Sequence, residues 1–270
     1  MSESSVKAAE RAWHDDWYSA HARQDFPDNP AGFMEYFRRV HLSNFCDGGW
    51  SYWADARKEI FAMLGDVRHL RILDYGCGHG QLGIFLALQG AQVSGFDLSA
   101  KGIEIANWAA GMYGLPCAFD AMDAENLTYP DATFDLVIGF GVVHHVIKYP
   151  RSAEHLRRVL KPGGKAIFHE TLWSNPAIRF ARRFTSAEQS AGDAPITPSS
   201  IRNFFSGFSR LDLMPRHCLY MLKRCASLPD RNLQDPLRPR PFWKMVKAAD
   251  SVVAPLMPAM CGEVIISALP

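Results

Sequence analysis

The sequence predicts an α/β fold: a doubly wound, mostly parallel sheet of seven strands, with a helical N-terminal segment and a helical cap before the last strand. Three observations carry this expectation. Between residues 70 and 170, β-branched and leucine-rich runs alternate with helix-patterned ones, which makes successive strands parallel with helices on the faces. The first run leads into "RILDYGCGHGQLG" (71–83), where Gly76, Gly78, Gly80 and Gly83 stand at the turn from strand to helix. After Glu170 the alternation fails, and only "SRLDLMP" and the closing "EVIISALP" again look like strands.

Residues 1–69 read as helical, rich in aromatics and divided by the turn signals "FPDNPAG" and "CDGG". "LRILDYG" is a buried strand, and "QLGIFLALQ" a helix stopped by Gly90. "AQVSGFD" is the second strand, after which Ser99 can N-cap "AKGIEIANWAAGM". "CAFDAMD" and "FDLVIGF" are the third and fourth strands. "SAEHLRRVL" is an amphipathic helix ended by "KPGG", and "KAIFHE" is the fifth strand. "ITPSSIRNFFSGF" has the look of a capped helix. Residues 1–69 are therefore expected to form a helical N-terminal segment, 70–170 the sheet core, and 171–270 a cap with the closing strands.

Apolar residues make up 48% of the 270, enough for a real core. The longest apolar stretch, "SVVAPLMPAMCG", is broken by Pro255 and Pro258 and falls short of the roughly 20 residues a membrane span needs. The polar "MSESSVKAAERAW" offers no secretory core, and six scattered cysteines form no CxxC pair or zinc-like spacing. A soluble, cytoplasmic protein with reduced thiols is the expectation. Charge is two-sided. Residues 171–247 carry a net +8 within an overall +1, leaving the remainder at −7.

Glycine loses the most backbone entropy on folding, so the four at the turn are expected to serve a ligand's approach rather than packing. A strand, a glycine turn and a helix N-terminus present unpaired N–H groups and the helix dipole to a polar ligand. "GHGQLG" matches GxGxxG and Asp97 ends the next strand, so an NAD(P)-dependent oxidoreductase is one reading. The register favours another. Asp74 precedes a G-x-G-x-G, and a carboxylate there suits a ligand with an ammonium and a sulfonium better than a pyrophosphate. S-adenosylmethionine is such a ligand.

The segments "ILDYGCGHGQ", "VSGFDLS", "AMDAENLTYPDATFDLVIGFGVVHHV" and "RVLKPGGKAIF" resemble, in order and spacing, the class I S-adenosylmethionine-dependent methyltransferases. The likeness covers residues 70–170 and is closest to the small-molecule branch with the ubiquinone and menaquinone enzymes. It implies the Rossmann-like methyltransferase fold. By the resemblance, Gly76, Gly78 and Gly80 line the methionine end of the cofactor, and Asp74 steers its amino group. Asp97 accepts from the ribose hydroxyls, Leu98 packs on adenine, and Asp123 with Ala124 meets the adenine amino group. Phe140 contacts the methionine portion, and Arg57 is the nearest candidate for the cofactor carboxylate.

Methyl transfer from a sulfonium needs alignment above all, and a base only where the acceptor carries a proton. His145, followed by His144 and Glu170, are the candidate bases; His169 is expected to face the core and His79 to be incidental. No clustered Asp/Asn set suggests a metal. The position after the fourth strand reads "GFGV" rather than a base-gripping tetrad, which argues against nucleic acid. A cofactor-binding protein without catalysis is a further alternative. In the cap, Phe204, Phe205, Phe208, Phe242, Trp243 and Val246 interleave with Arg238, Arg240, Lys244 and Lys247. That pattern suggests an amphipathic, lipid-like or anionic acceptor, or a peripheral contact with an anionic membrane. The acceptor atom and the oligomeric state are not legible in the residues.

Overall fold

A computed structural model describes residues 3–43, 53–182, 193–219 and 241–270. Seven strands form one sheet in the order β3-β2-β1-β4-β5-β7-β6. They are β1 Arg71–Tyr75, β2 Gln92–Asp97, β3 Ala118–Ala121, β4 Phe134–Phe140, β5 Leu160–Thr171, β6 Arg210–Arg216 and β7 Glu263–Leu269. The pairs from β3 through β5 are parallel, while β7 runs antiparallel to both β5 and β6. Strand order reverses between β1 and β4, and ligands of such sheets bind in the crevice beyond the carboxyl ends at that switch point.

The N-terminal segment forms α1 Glu3–His21, α2 Pro30–Leu42 and α3 Ala54–Leu64. Asn29 caps α2 by accepting from Gly32 N–H at 2.8 Å, with Pro30 pre-set at the first helical position. α4 Gln81–Ala87 is buried along its whole length, as a helix wedged between sheet and N-terminal segment must be. Ser99 caps α5 Ala100–Met112 as expected, its hydroxyl accepting from Gly102 N–H at 3.0 Å. α6 Val143–Val146 and α7 Pro150–Val159 follow β4. Beyond β5 come α8 Pro176–Arg182, α9 Pro198–Phe204 and α10 Pro241–Leu256. A reciprocal Thr197–Ser200 capping box starts α9. Two apolar cores lie against the sheet. Phe33, Phe37, Ile60 and Phe85 belong to one, and Tyr75, Phe134, Phe168 and Phe205 to the other.

Three expectations need correction. The fifth strand starts earlier than "KAIFHE": α7 stops at Val159, just before "KPGG", and β5 already runs from Leu160 through Pro162 and Gly163, with an irregular register opposite Phe134 and Leu136. Phe205 is a core residue, 1% exposed, and Phe204, 8% exposed, keeps only an edge on a groove that it lines with Phe208 between α7 and α9. Lys247 is not a free cation, since its ammonium sits 2.5 Å from Asp55. Arg238 and Arg240 lie outside the described residues, as do the side chains of Phe242, Trp243 and Lys244. Cys77, Cys117, Cys218 and Cys261 are free thiols, while Cys46 and Cys225 also lie outside the described residues.

Candidate active site

The glycine turn is filled by the protein itself. A Cβ on Gly76 (φ +67°) would strike the Val142 side chain, and one on Gly78 (φ +55°) the Tyr18 hydroxyl. Gly80 (φ +86°) begins α4 in the left-handed region, and its added Cβ would lie 2.7 Å from that of Ala106. Close packing against α1, α5 and the segment after β4 therefore demands these glycines. The expectation that packing could not explain them is overturned.

Each strand end contributes an acid. Asp74, 2% exposed at the end of β1, accepts from Gly83 N–H at 2.8 Å. Burial pushes its carboxyl up to about 7, with the Gly83 hydrogen bond pulling the other way and the Asp97 charge adding to the rise. Asp97 ends β2 and fastens two turns at once, taking Gly78 N–H at 2.8 Å on one oxygen and Ser99 N–H at 2.9 Å on the other. Asp123 caps the short turn Ala124–Asn126 through Glu125 N–H and receives the Lys7 ammonium at 2.7 Å.

Beyond β4, His144 and His145 sit on α6, and each meets a carboxylate. Glu170, fully buried at the end of β5, accepts from Val143 N–H at 2.5 Å and lies 2.9 Å from His144 Nδ1. Burial alone would raise its carboxyl, but His144 and the Val143 N–H outweigh it and hold the acid below its ordinary range. His145 Nδ1 lies 2.5 Å from Glu10 and 3.5 Å from Asp193.

A cavity of about 150 Å³ joins the two groups. Gly76, Asp97, Leu98, Asp123, Ala124, Phe140 and His145 line it together with Lys7, Glu10, His14 and Tyr18 of α1. Asp74, Gly78, Gly80, His144, Glu170 and Arg57 do not reach its wall. Arg57 instead lies 2.5 Å from His41 Nδ1, and its guanidinium stacks 4.8 Å from the Phe140 ring centre. Burial, then the Arg57 charge, lowers His41 to about 3, so its neutral imidazole can accept from Arg57. His79 is not incidental: its Nε2 lies 3.0 Å from Asp25 and ties the glycine turn to the N-terminal segment. His169 is buried, as expected.

A family model described as a methyltransferase domain matches residues 72–164. The ubiquinone biosynthesis O-methyltransferase of Methylocella silvestris is 35% identical over 202 residues, covering 71% of this chain and 72% of that protein. The chain belongs to the class I S-adenosylmethionine-dependent methyltransferases. Other methyltransferases match over shorter spans. The ubiquinone biosynthesis O-methyltransferase of Rhizobium etli is 40% identical over 95 residues, covering 35% of this chain and 38% of the relative. The phthiotriol/phenolphthiotriol dimycocerosates methyltransferase of Mycobacterium leprae is 32% identical over 151 residues, covering 54% and 55%. The chain thus spans between about two fifths and just over half the length of those two relatives. Among solved structures, the [4+2]-cyclase SpnF superposes with a TM-score of 0.59 at 20% identity, covering 98% of this chain and 96% of that one. Haemonchus contortus phosphoethanolamine N-methyltransferase 2 gives 0.61 at 17%, covering 96% and 59%. These two likenesses show the methyltransferase fold alone, and a cyclase among them means that chemistry must be argued from the site.

Membership in this methyltransferase family leaves the oxidoreductase reading of "GHGQLG" without support. It also directs attention to what the sequence reading missed, namely Lys7, Glu10, His14 and Tyr18. Their spacing of three, four and four residues places them on one helix face. That polar stripe was the available signal, hidden beside more conspicuous aromatics. Among the described residues, no helix is long and apolar enough to cross a membrane.

Proposed function

We propose that this protein transfers a methyl group from S-adenosylmethionine to a protic small-molecule acceptor. One observation carries the reading: a single cavity joins the Asp97–Asp123 wall to the imidazole of His145. The fit to the cofactor rests on the acids. Asp74 lies buried behind the wall with its carboxyl raised to about 7 by burial, and an amino group brought beside it would favour its ionised form. Asp97 has lone pairs left after its two backbone bonds, suited to hydroxyl donors. Asp123 and Ala124 stand at the adenine end, Leu98 packs beside them, and Phe140 borders the methionine end. When bound, the cofactor supplies an electrophilic methyl on sulfur.

The remaining work belongs to the chain. On this reading residues 1–69 cover the site, 70–170 bind the cofactor and 171–270 form the acceptor-side cap. His145, whose imidazole lines the cavity, stands where an acceptor proton would leave, and His144 packs beside it off the wall, the two rings 4.0 Å apart. Glu170, both of whose oxygens are engaged, suits the holding of His144 better than direct proton removal. The cavity of about 150 Å³ is smaller than the roughly 300–1,000 Å³ usual for small-molecule sites, and α1 forms one of its walls.

A lipid-like acceptor, met at an anionic membrane surface, is the finer reading we favour. α10 exposes Met245 (68%), Val252 (65%) and Leu256 (76%), spaced seven and four residues apart on one face, within or beside the basic stretch. Relatives named for ubiquinone and phthiotriol substrates are consistent with this. Calorimetry with S-adenosylhomocysteine, then a metabolite and lipid screen with methyl-labelled cofactor, tests the proposal. Binding plus label transfer is expected, with His145→Ala lowering kcat about 10²–10⁴-fold. Binding of NAD without any response to S-adenosylhomocysteine would overturn it, and binding without transfer to any acceptor would leave only a cofactor-binding protein.

A further inference from the structure

Three groups of metal-ligand type meet at the cavity from two segments far apart in the chain. Glu10 and His14 lie one helical turn apart on α1, and His145 comes from α6. One ligand atom from each lies within 4.8 Å of the others, and all three residues line the cavity. Glu10 is buried, and the basic group the structure sets against its carboxylate is the His145 imidazole of the same trio. A second observation points the same way. The Nδ1 atom of His145 is shielded from solvent and makes no hydrogen bond of acceptable geometry, although the Glu10 and Asp193 carboxylates stand 2.5 and 3.5 Å away. Two acids thus crowd one imidazole nitrogen without either being aligned on it. A metal ion accepts that arrangement, because it needs lone pairs converging on a point and no proton between them.

We infer that Glu10, His14 and His145 hold a divalent transition-metal ion. Two imidazoles and one carboxylate are the ligand set of zinc and iron sites that keep open positions, whereas magnesium and calcium take oxygen ligands. His144 and Asp193 flank the trio beside His145. The open positions face the cavity, where they would bind an oxygen of the acceptor and fix it before the cofactor. This role rests on the methyl-transfer reading; binding of the ion does not. With the ion in place His145 serves as a ligand. The sequence hides the site because no short motif carries it.

The test is titration of the chelator-treated chain with cobalt(II), followed by visible absorption and calorimetry, with zinc as competitor. One equivalent of cobalt giving the intense bands of a four- or five-coordinate ion is expected. Glu10→Gln and His14→Gln should each weaken uptake by more than the roughly 10–100-fold typical of losing an outer partner. Thermal melts of both variants check that they fold. Absence of stoichiometric uptake by the unaltered chain would overturn the inference, as would uptake that folded variants leave unchanged. S-adenosylhomocysteine binding, measured on the unaltered chain with and without chelator, separates the two proposals. Cobalt uptake without cofactor binding would sink methyl transfer and keep the ion site.

Discussion

The ammonium of Lys7 bridges Asp123 at 2.7 Å and Glu125 at 2.6 Å, joining the first helix to the turn after the third strand. It also lies 4.3 Å from the centre of the Tyr149 ring. The bridge closes one end of the cavity, and further fastenings hold the rest of α1 down. Asp15 contacts the Ser99 hydroxyl and takes Lys101 N–H at 3.1 Å, while Tyr18 seals Gly78. Every loop assigned to the cofactor is therefore gripped by α1 or the turn after it.

Lys7→Met should accordingly loosen the cover. Burial works against the ammonium, but Asp123 and Glu125 outweigh it and raise its pKa above the ordinary lysine value. The resulting stability is complete below about pH 10.5 and lost only as pH climbs through the raised value, so neutral assays see the full bridge. Breaking it strands two carboxylates that are mostly shielded. A cost of about 1–2 kcal/mol, discounted for partial exposure, should appear as S-adenosylhomocysteine dissociating about 5–30-fold faster in stopped-flow displacement. An unchanged dissociation rate would mean that α1 does not retain the cofactor.

Asp97→Ala should weaken cofactor binding by about 1–3 kcal/mol, the cost of leaving polar groups unpaired. The residue holds Gly78 and Ser99 N–H groups besides facing the cavity, so both the wall and the turn suffer. Calorimetry on the variant measures the loss. Undiminished affinity would remove Asp97 from the ribose role and leave it as a fastener of the turn.

Asp74 makes cofactor affinity depend on pH. Its folded-state pKa of about 7 lies above the ordinary carboxylate value, so the folded chain binds this proton more tightly than the unfolded one. The associated stability is present below about pH 4, declines as pH rises toward 7, and changes little above that. An ammonium beside Asp74 favours the ionised acid, so affinity should climb between about pH 6 and 7.5 with a proton released on binding, and then level off. Calorimetry in buffers of different ionisation enthalpy counts that proton. Asp74→Asn should abolish the release, and release persisting in that variant would move its source elsewhere.

The sheet was legible because each strand from β1 to β5 is a short apolar run fenced by helix caps and turn residues. The strand-end acids Asp74, Asp97 and Asp123 were legible for the same reason, since their positions follow from strand ends. What the residues could not disclose was long-range packing. Val142, Tyr18 and Ala106 fill the glycine turn from three segments, and nothing in "YGCGHGQ" says which of them will do so. Glu10 and His145 likewise meet only after α1 has folded back over the sheet. Phe205 misled because a local run of aromatics and arginines looks alike whether its rings face a core or a ligand.

The exposed face of α10 makes the lipid reading testable apart from the chemistry. Met245, Val252 and Leu256 are largely open to solvent, and each could enter the outer few ångströms of a bilayer without disturbing the core that Ala254 and Asp250 hold. Basic residues near an anionic surface contribute about 1 kcal/mol each, and salt screens the attraction. The chain should therefore float with anionic vesicles at low salt, less at high salt, and hardly at all with neutral ones. Lys247 is paired with Asp55, so reversing its charge would disturb α3 as well as any lipid contact. Val252→Asp with Leu256→Asp is the cleaner probe. It should abolish flotation while leaving thermal stability and S-adenosylhomocysteine affinity as they were. Flotation that survives the double substitution would place the lipid contact on another face, and failure to float on anionic vesicles at low salt would return the acceptor to the soluble metabolites.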